Sequence, residues 1–478
     1  VPQGNLKSFA GLKRPGAQLK LRPNGNGIRV VNQFTYLYAR RYYQLVGAAI
    51  RRAHPGALVL GDRLPLYYNQ DAVRAMADQV DIVSTNYNVD TRDGWVAPYY
   101  FEGLERLTGK PILVSEFFFA ADQNRSGNRN ERNGKPGHLM TVSTQSERAR
   151  GVANALCNFA RFPNIVGVHW FQYADEPSDG RDDGENYNMG LVDIDNRPYQ
   201  KVIDVFKSLN PQMEKLHKLG EGKRDYSDMT NPTPIHPALN TISLTDNSLT
   251  DWDKEATRIP YFFTPAPYVP FADVHLAWRP EGLYLAVIAS NYLDLDLIAT
   301  ENEFPLSATF QTHVMVKDEE GTVHHYAIHL SAKRSPRFSY EGDKRVEIDP
   351  QIVRYVEGRP VERLPTVNRV QRLIKPLPHI TLESFFPAKW LGKEILKAGD
   401  TIRLDVMVMK YLHELTMSLT HSSRLDALAD PNVFRTFLLQ DTKMHRKSLS
   451  EEETNGISCF PEQAGLPENS SHPTQDSL

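Results

Sequence analysis

Four short, nearly continuous aliphatic runs punctuate the first 210 residues, at 57–61, 80–84, 111–115 and 165–170. Runs of this length without polar alternation fit strands buried on both faces, the habit of parallel sheets. Between them the apolar spacing becomes helical. From Phe34 onward, Tyr42, Leu45, Val46, Ala49 and Ile50 fall on one face. Thr144 and Glu147 form a capping box ahead of Ala149, Val152, Ala153 and Leu156. Strand and helix alternate through residues 34–210, which predicts a β/α architecture.

The period changes after residue 210. Residues 211–239 are polar and broken by Pro232, Pro234 and Pro237, as expected of a linker. From 240 to 440 the apolar segments are short: 274–278, 283–287, 312–316, 325–330, 380–384 and 402–408. Turn signals at 279–282 and 318–321 separate some of them, which predicts an antiparallel β-sandwich. The Gly- and Pro-rich residues 1–33 read as loop. Residues 441–478, rich in Ser, Glu, Pro and Asn, read as a disordered tail.

The chain has 478 residues, room for about three domains. With 40% hydrophobic and 24% charged residues it has enough apolar material for real cores, which excludes global disorder. A net charge of −3 leaves no basic surplus for nucleic acid or an anionic membrane. No apolar run approaches the roughly 18 residues of a membrane span. Cys157 and Cys459 are too few for a disulfide framework or a zinc ribbon. The chain opens on Val1 with no signal-type stretch behind it, so the natural start is expected further upstream.

Candidate chemistry sits where the aliphatic runs end, because β/α sheets carry their sites at the carboxyl ends of the strands. The first run ends in Asp62 and Arg63, the second in Asn86 and Tyr87, the third in Glu116, and the fourth in His169 and Trp170. Glu116 stands out, since a carboxylate directly after an aliphatic strand is costly to bury without a function or a partner. Its bland alternative is a strand end paired with Arg63. Glu176 and Glu185, with Asp175, Asp179, Asp182 and Asp183, crowd one loop that reads as a solvated cleft rim. An EF-hand fails there because position twelve from Asp179 is Gly190. The polar loop 122–138 fits either a cleft lid or a mobile surface loop. His324, His325 and His329 read as solvated strand histidines rather than ligands, so neither metal nor cofactor is expected.

Several of these segments resemble one family. Residues 110–117 (KPILVSEF) look like the seventh strand of clan-A glycoside hydrolases, the retaining (β/α)8 enzymes, and residues 168–173 (VHWFQY) look like the eighth. Asn86-Tyr87 falls where the sixth strand supplies a partner to the nucleophile. Residues 182–193 (DDGENYNMGLVD), followed by Arg197-Pro198-Tyr199, are similar to the agarase-like members. The match covers residues 35–210.

The resemblance implies the C-terminal half of a TIM (β/α)8 barrel, strands five to eight, over 34–210, with 1–33 a remnant of the other half. It also implies a retaining glycoside hydrolase acting on a β-linked polysaccharide or oligosaccharide. Glu116 would be the nucleophile, Tyr87 would hydrogen-bond it, and Trp170 would floor the −1 sugar. Asn86, Arg63, His169 and Glu185 would orient hydroxyls. The clan's acid/base lies in an Asn-Glu pair on the fourth strand, and the nearest string before Phe34 is Asn32-Gln33, which cannot serve. The chain alone is therefore expected to be inactive, as a piece of a longer, secreted or periplasmic enzyme. The alternative is a non-catalytic glycan-binding protein with a degenerate barrel.

Residues 240–440 resemble a DOMON-type or family 9-like carbohydrate-binding sandwich, through 272–278, 282–287 and 383–392. Trp252, Tyr268, Tyr292 and Tyr411 are its candidate stacking aromatics, and Trp278 and Trp390 its expected core. The glycan and the oligomeric state stay open.

Overall fold

A helix opens the described part of the chain. The computed structural model describes residues 27–64, 69–87, 89, 91–136, 139–218, 232–239, 242–244, 249–259, 272–290, 310–332, 348–357, 359–364, 379–410, 415–418 and 434–441. Helix α1 (Gly27–Ala53) starts seven residues before Phe34, inside the stretch expected to be loop. Its buried stripe also differs from the expected one. Ala39 and Tyr43 face the core, whereas Tyr42, Leu45 and Val46 are exposed. Gly47 lies on the same buried face, beside Gln79.

After α2 (Gln70–Met76) come β1 (Val83–Asn86), α3 (Pro98–Thr108), β2 (Ile112–Phe117), α4 (Gln145–Ala160), β3 (Ile165–Trp170) and α5 (Gln200–Leu209). The three strands form a parallel sheet in the order β1-β2-β3. The aliphatic run 57–61 is not a fourth ladder strand. Val59 donates to the Asp81 carboxylate, and its carbonyl accepts from the Asp81 amide. Sheet pairing resumes only at Leu64, in a single bridge to Thr85.

The helices begin and end on identifiable signals. Pro98 opens α3 and Gly109, in the left-handed region, closes it. The capping box of Thr144 and Glu147 starts α4. Gly151 on α4 takes the Phe119 ring where a Cβ would stand, and a Cβ on Gly94 would lie 2.2 Å from the Gly151 carbonyl oxygen. These two glycines let the loops after β1 and β2 close on α4.

The stretch 211–239 is not a bare linker among its described residues. Met213–Lys218 forms helix α6, with Leu216 buried in the β/α core. Thr233–Ile235 forms β4, a strand of the second module, and its Pro234 sits at a sheet edge, where proline is tolerated.

The second module packs two sheets. One has four strands in the order β5 (Thr257–Ile259), β6 (Ala272–Arg279), β7 (Gly282–Ser290), β12 (His379–Pro387), and helix α7 (Thr250–Glu255) precedes β5. The other contains β8 (Phe310–Lys317), β9 (Val323–Ala332), β10 (Ile348–Val356), β11 (Arg359–Leu364), β13 (Thr401–Lys410), β14 (Leu415–Ser418), β15 (Arg435–Leu439) and β4. Its ladders are antiparallel except β15 with β4. The expected turn at 279–282 closes the β6–β7 hairpin, with Arg279 opposite Gly282. Val274, Leu276, Leu285, Val287, Val314, Ile328, Leu404 and Val406 fill the space between the sheets.

Trp278 and Trp390 belong to this core, as expected. Trp252 is fully buried and offers no stacking surface. Tyr268, Tyr292, Tyr411 and the tail from 442 onward lie outside the described residues. His325 is not solvated: it is buried, its Nε2 lies 2.9 Å from His313 Nδ1, and Tyr355 stacks on its ring at 4.4 Å. A hydrogen-bonded partner makes that burial tolerable. His324 instead pairs with Asp318 at 2.8 Å.

Candidate functional site

The alternation of a strand puts neighbouring residues on opposite faces, and at the carboxyl ends of β1 and β2 this separates scaffold from chemistry. Asn86 and Glu116, aligned across the ladder, meet on one face. The side chains that follow them, Tyr87 and Phe117, turn into the helix layer, where both contact Phe159.

Glu116 is largely buried but still reaches solvent. Arg63 Nη1 approaches its Oε2 at 2.9 Å, and Asn86 hydrogen-bonds its carboxylate. Asn86 Oδ1 in turn accepts from Ser115 Oγ at 3.3 Å. Burial pushes the Glu116 carboxyl above the ordinary carboxylate range, and Arg63, Asn86 and the more distant Arg181 pull it back.

The loop after β3 supplies the opposite wall. Glu185 and Asn186 form a two-residue strand that pairs with Glu131–Arg132. Arg181 Nη2 holds Glu185 at 3.0 Å and Arg132 stands 3.9 Å away. Burial raises the Glu185 carboxyl and Arg181 pulls it back, with smaller effects from Asp183, Arg132 and Glu116. Arg181 also reaches Glu176 Oε1 at 3.1 Å. Glu176 accepts from the Tyr187 amide at 2.6 Å and is buried, which pushes it up to about 7. Asp183 is held below the usual range by its hydrogen bond from Arg181.

This loop is a solvated rim only in part: Asp179, Asp182 and Asp183 are exposed, whereas Asp175 and Glu176 are buried. Asp175, a second buried carboxylate there, accepts from Ser126 Oγ, Asn188 Nδ2, the Gly190 amide and the Tyr199 hydroxyl, all within 2.8 Å. Loop 122–136 is stitched to it as well. Asn128 Nδ2 donates to the Glu176 carbonyl and to Asn186 Oδ1, and Arg125 Nε donates to Asp193 at 2.9 Å. Among the described residues, no group of three or more His, Cys, Asp or Glu side chains could hold a metal ion.

No protein-family model matches the chain. Over 185 residues it is 28% identical to β-agarase B, and over 189 residues 31% identical to β-agarase A, both of Vibrio sp. (strain JT0107). Each match takes in 38% of this chain and 18% of the relative, so the chain spans under a fifth of the length of the curated relatives it matches. Part of the chain is thus similar to β-agarases. Among solved structures it is similar to the agarase AgWH50C, at 31% identity and a TM-score of 0.37, over 42% of this chain and 29% of that one. A family 9 carbohydrate-binding module from Caldicellulosiruptor kristjanssonii, in complex with cellotriose, matches at 11% identity and a TM-score of 0.28. It covers 50% of this chain and 100% of that module.

The expected site residues divide into two groups. Glu116, Arg63, Asn86 and Glu185 come together. Tyr87 does not approach the carboxylate with its hydroxyl, which accepts from the Ala97 amide at 2.8 Å while the ring lies against Tyr100, Phe101 and Phe159. Its link to Glu116 is through the backbone, its amide donating to the Glu116 carbonyl at 2.9 Å.

Trp170 also faces the packing layer. It meets Phe117 and Phe206 edge-on, donates from Nε1 to the Met189 carbonyl, and has the Arg148 guanidinium 5.4 Å from its ring. His169 is exposed on a groove of about 1090 Å³ that runs along β3 and is also lined by Val166, Phe206, Met213 and His217.

Arg132 belongs to the polar loop read as a possible cleft lid, whereas Arg181, Ser115 and Arg148 were not anticipated. The signal for Arg181 was an arginine set between two acidic pairs in a loop. Arg148 carried none, because on a helix it reads as an exposed residue. It is in fact fully buried and donates to the Phe119 and Gly190 carbonyls.

Proposed function

We propose that the β/α module is the nucleophile-bearing part of a retaining glycoside hydrolase site for a β-linked galactan of the agarose type. The observation that carries this reading is Glu116, still open to solvent at the carboxyl end of a parallel strand beside Asn86, within the segment similar to β-agarases; its pairing with Arg63 is one that a purely structural strand end would also make. Its carboxylate would attack the anomeric carbon. One carboxylate oxygen forms the new bond, and the aglycone departs with the electron pair of the broken one. Arg63 keeps the nucleophile ionised against the pull of burial. Glu185, tethered by two arginines, would accept from sugar hydroxyls, and Asn86 would extend the polar lining.

Retention needs a second carboxyl about 5–5.5 Å from the nucleophile as acid/base, and we assign that role to no described residue. The sandwich is assigned to carbohydrate recognition only by its resemblance. Secretion or a periplasmic location belongs to the same reading.

The test uses a 2-deoxy-2-fluoro-β-galactosyl donor whose leaving group departs without protonation. Such a donor needs the nucleophile and not the acid. The expected result is one covalent sugar on the peptide carrying Glu116, detected by mass spectrometry and absent in Glu116→Gln. Labelling of any other residue, or none, would sink the nucleophile assignment.

The second reading, a non-catalytic glycan binder, is favoured by the two arginines already engaged with Glu185. It expects agaro-oligosaccharide binding by calorimetry, equal in wild type and Glu116→Gln, with no covalent product.

A further inference from the structure

On the back of α3, away from the site, lies a second set of buried charges. Residues 273, 275 and 277 of β6 alternate with the core-facing Val274 and Leu276, so they project from the outer face of the four-stranded sheet. On a free-standing sandwich that face would meet water. Here Asp273, His275 and Glu383, the last two flanking Ala286 across the ladder, are buried.

What covers them is the β/α module. Arg258 on β5 divides its guanidinium between the modules: Nε donates to Asp273 at 2.9 Å, and Nη1 and Nη2 grip both oxygens of Glu102 on α3 at 3.1 Å. The other Asp273 oxygen accepts the Tyr99 amide from the first turn of α3, at 3.0 Å. Trp95 meets His275 edge-on. Trp252, Ala256, Ala277, Ala286 and Ile288 join the same apolar core as Tyr99, Phe101 and Leu104. A carboxylate as buried as Asp273 is tolerable only while its partners are present, so this face is built to be covered.

The contact continues toward the site. Ala97, just ahead of α3, donates to the Tyr87 hydroxyl, Tyr100 and Phe101 pack on the Tyr87 ring, and the Tyr87 amide holds the Glu116 carbonyl. We propose that the sandwich is a fixed buttress of the β/α module. Its four-stranded sheet clamps α3 through Arg258 and thereby positions the strand ends bearing Asn86 and Glu116. In this role the outer face of that sheet is an internal interface and not a ligand platform, and Arg258 is a positioning residue.

The test is Arg258→Met in the full chain, with two readouts that need no sugar. Hydrogen exchange by mass spectrometry should speed up at least tenfold in residues 97–108 and 83–87 and stay within twofold in α4. The NMR titration midpoint of the Glu116 carboxyl should move from its wild-type position. If exchange rises only within 257–279, or if the Glu116 midpoint does not move, the proposal falls. It also falls if the wild-type chain melts in two separate transitions. Should Arg258→Met not fold, Arg258→Lys keeps the charge and loses the bidentate grip. It should then raise exchange in 97–108 about threefold, and unchanged exchange there would overturn the proposal equally. Failure of the glycosidase reading would leave these outcomes untouched.

Discussion

Arg63 Nη1 stands 2.9 Å from Glu116 Oε2, and the arginine is the more exposed partner of the pair. Burial and the guanidinium therefore act on Glu116 in opposite senses, with burial the larger. Arg63→Ala should raise the Glu116 titration midpoint further, by an amount that solvent screening of the exposed arginine keeps small. Arg63→Lys should recover most of the difference. A midpoint that stays where it is in Arg63→Ala would show that the pair does not form in solution.

Glu176 gives a prediction with a defined pH window. Burial lifts its folded-state value from 4.5 to about 7, so the folded chain retains a proton that the unfolded chain releases. The stability this group contributes is complete below about pH 4.5 and is lost as pH rises through 7. Glu176→Gln removes the titration. Measured by urea denaturation, the stability of Glu176→Gln relative to wild type should climb by up to about 3 kcal/mol between pH 4.5 and 8. A difference that is flat with pH would contradict the burial.

Arg148 lies beneath both Trp170 and Tyr199 and donates to two backbone carbonyls. Arg148→Met would fill much of the space and leave those carbonyls without their donor. Denaturant unfolding should register a loss of about 3 kcal/mol. A loss under about 1 kcal/mol would mean that the loops reorganise around the gap.

Two glycines of the same backbone sign separate strain from collision. Gly94 and Gly134 both have φ in the left-handed region, at +85° and +76°. A Cβ on Gly134 meets nothing within 4 Å, whereas one on Gly94 would strike the Gly151 carbonyl. Gly134→Ala should cost about 1 kcal/mol by thermal melting. Gly94→Ala should cost more, by about 2 kcal/mol, because helix α4 must shift. Equal costs would remove the collision.

Legibility in the sequence followed from how local each cause was. The runs at 111–115 and 165–170 became strands because their apolar continuity needs no distant partner to be read. The capping box at Thr144 and the turn at 279–282 are local for the same reason. Residues 57–61 have the same composition, yet their backbone is held by Asp81, a residue that no periodicity singles out. The buried face of α1 was missed because it is marked by Ala39, Tyr43 and Gly47, while the more apolar Leu45 and Val46 are exposed. At the site, Glu116 and Arg63 were legible as a charge at a strand end and its natural partner. Tyr87 and Trp170 were assigned to the chemistry, but strand alternation turns both into the packing layer. The roles of Asp175 and Arg148 depend on contacts 13 to 49 residues away and could not be read from spacing.

Asp175 collects its four hydrogen bonds from residues 126, 188, 190 and 199. The donors come from the loop around 126 and from two stretches of the loop after β3, 188–190 and 199, which must close together before the carboxylate is satisfied. The wall of the site should therefore open as one cooperative unit. Under a brief proteolytic pulse at rising urea, the segments around 126, 175 and 190 should become cleavable together, ahead of α4. Cutting that spreads over separate urea concentrations would show three independent loops instead of one cooperative rim.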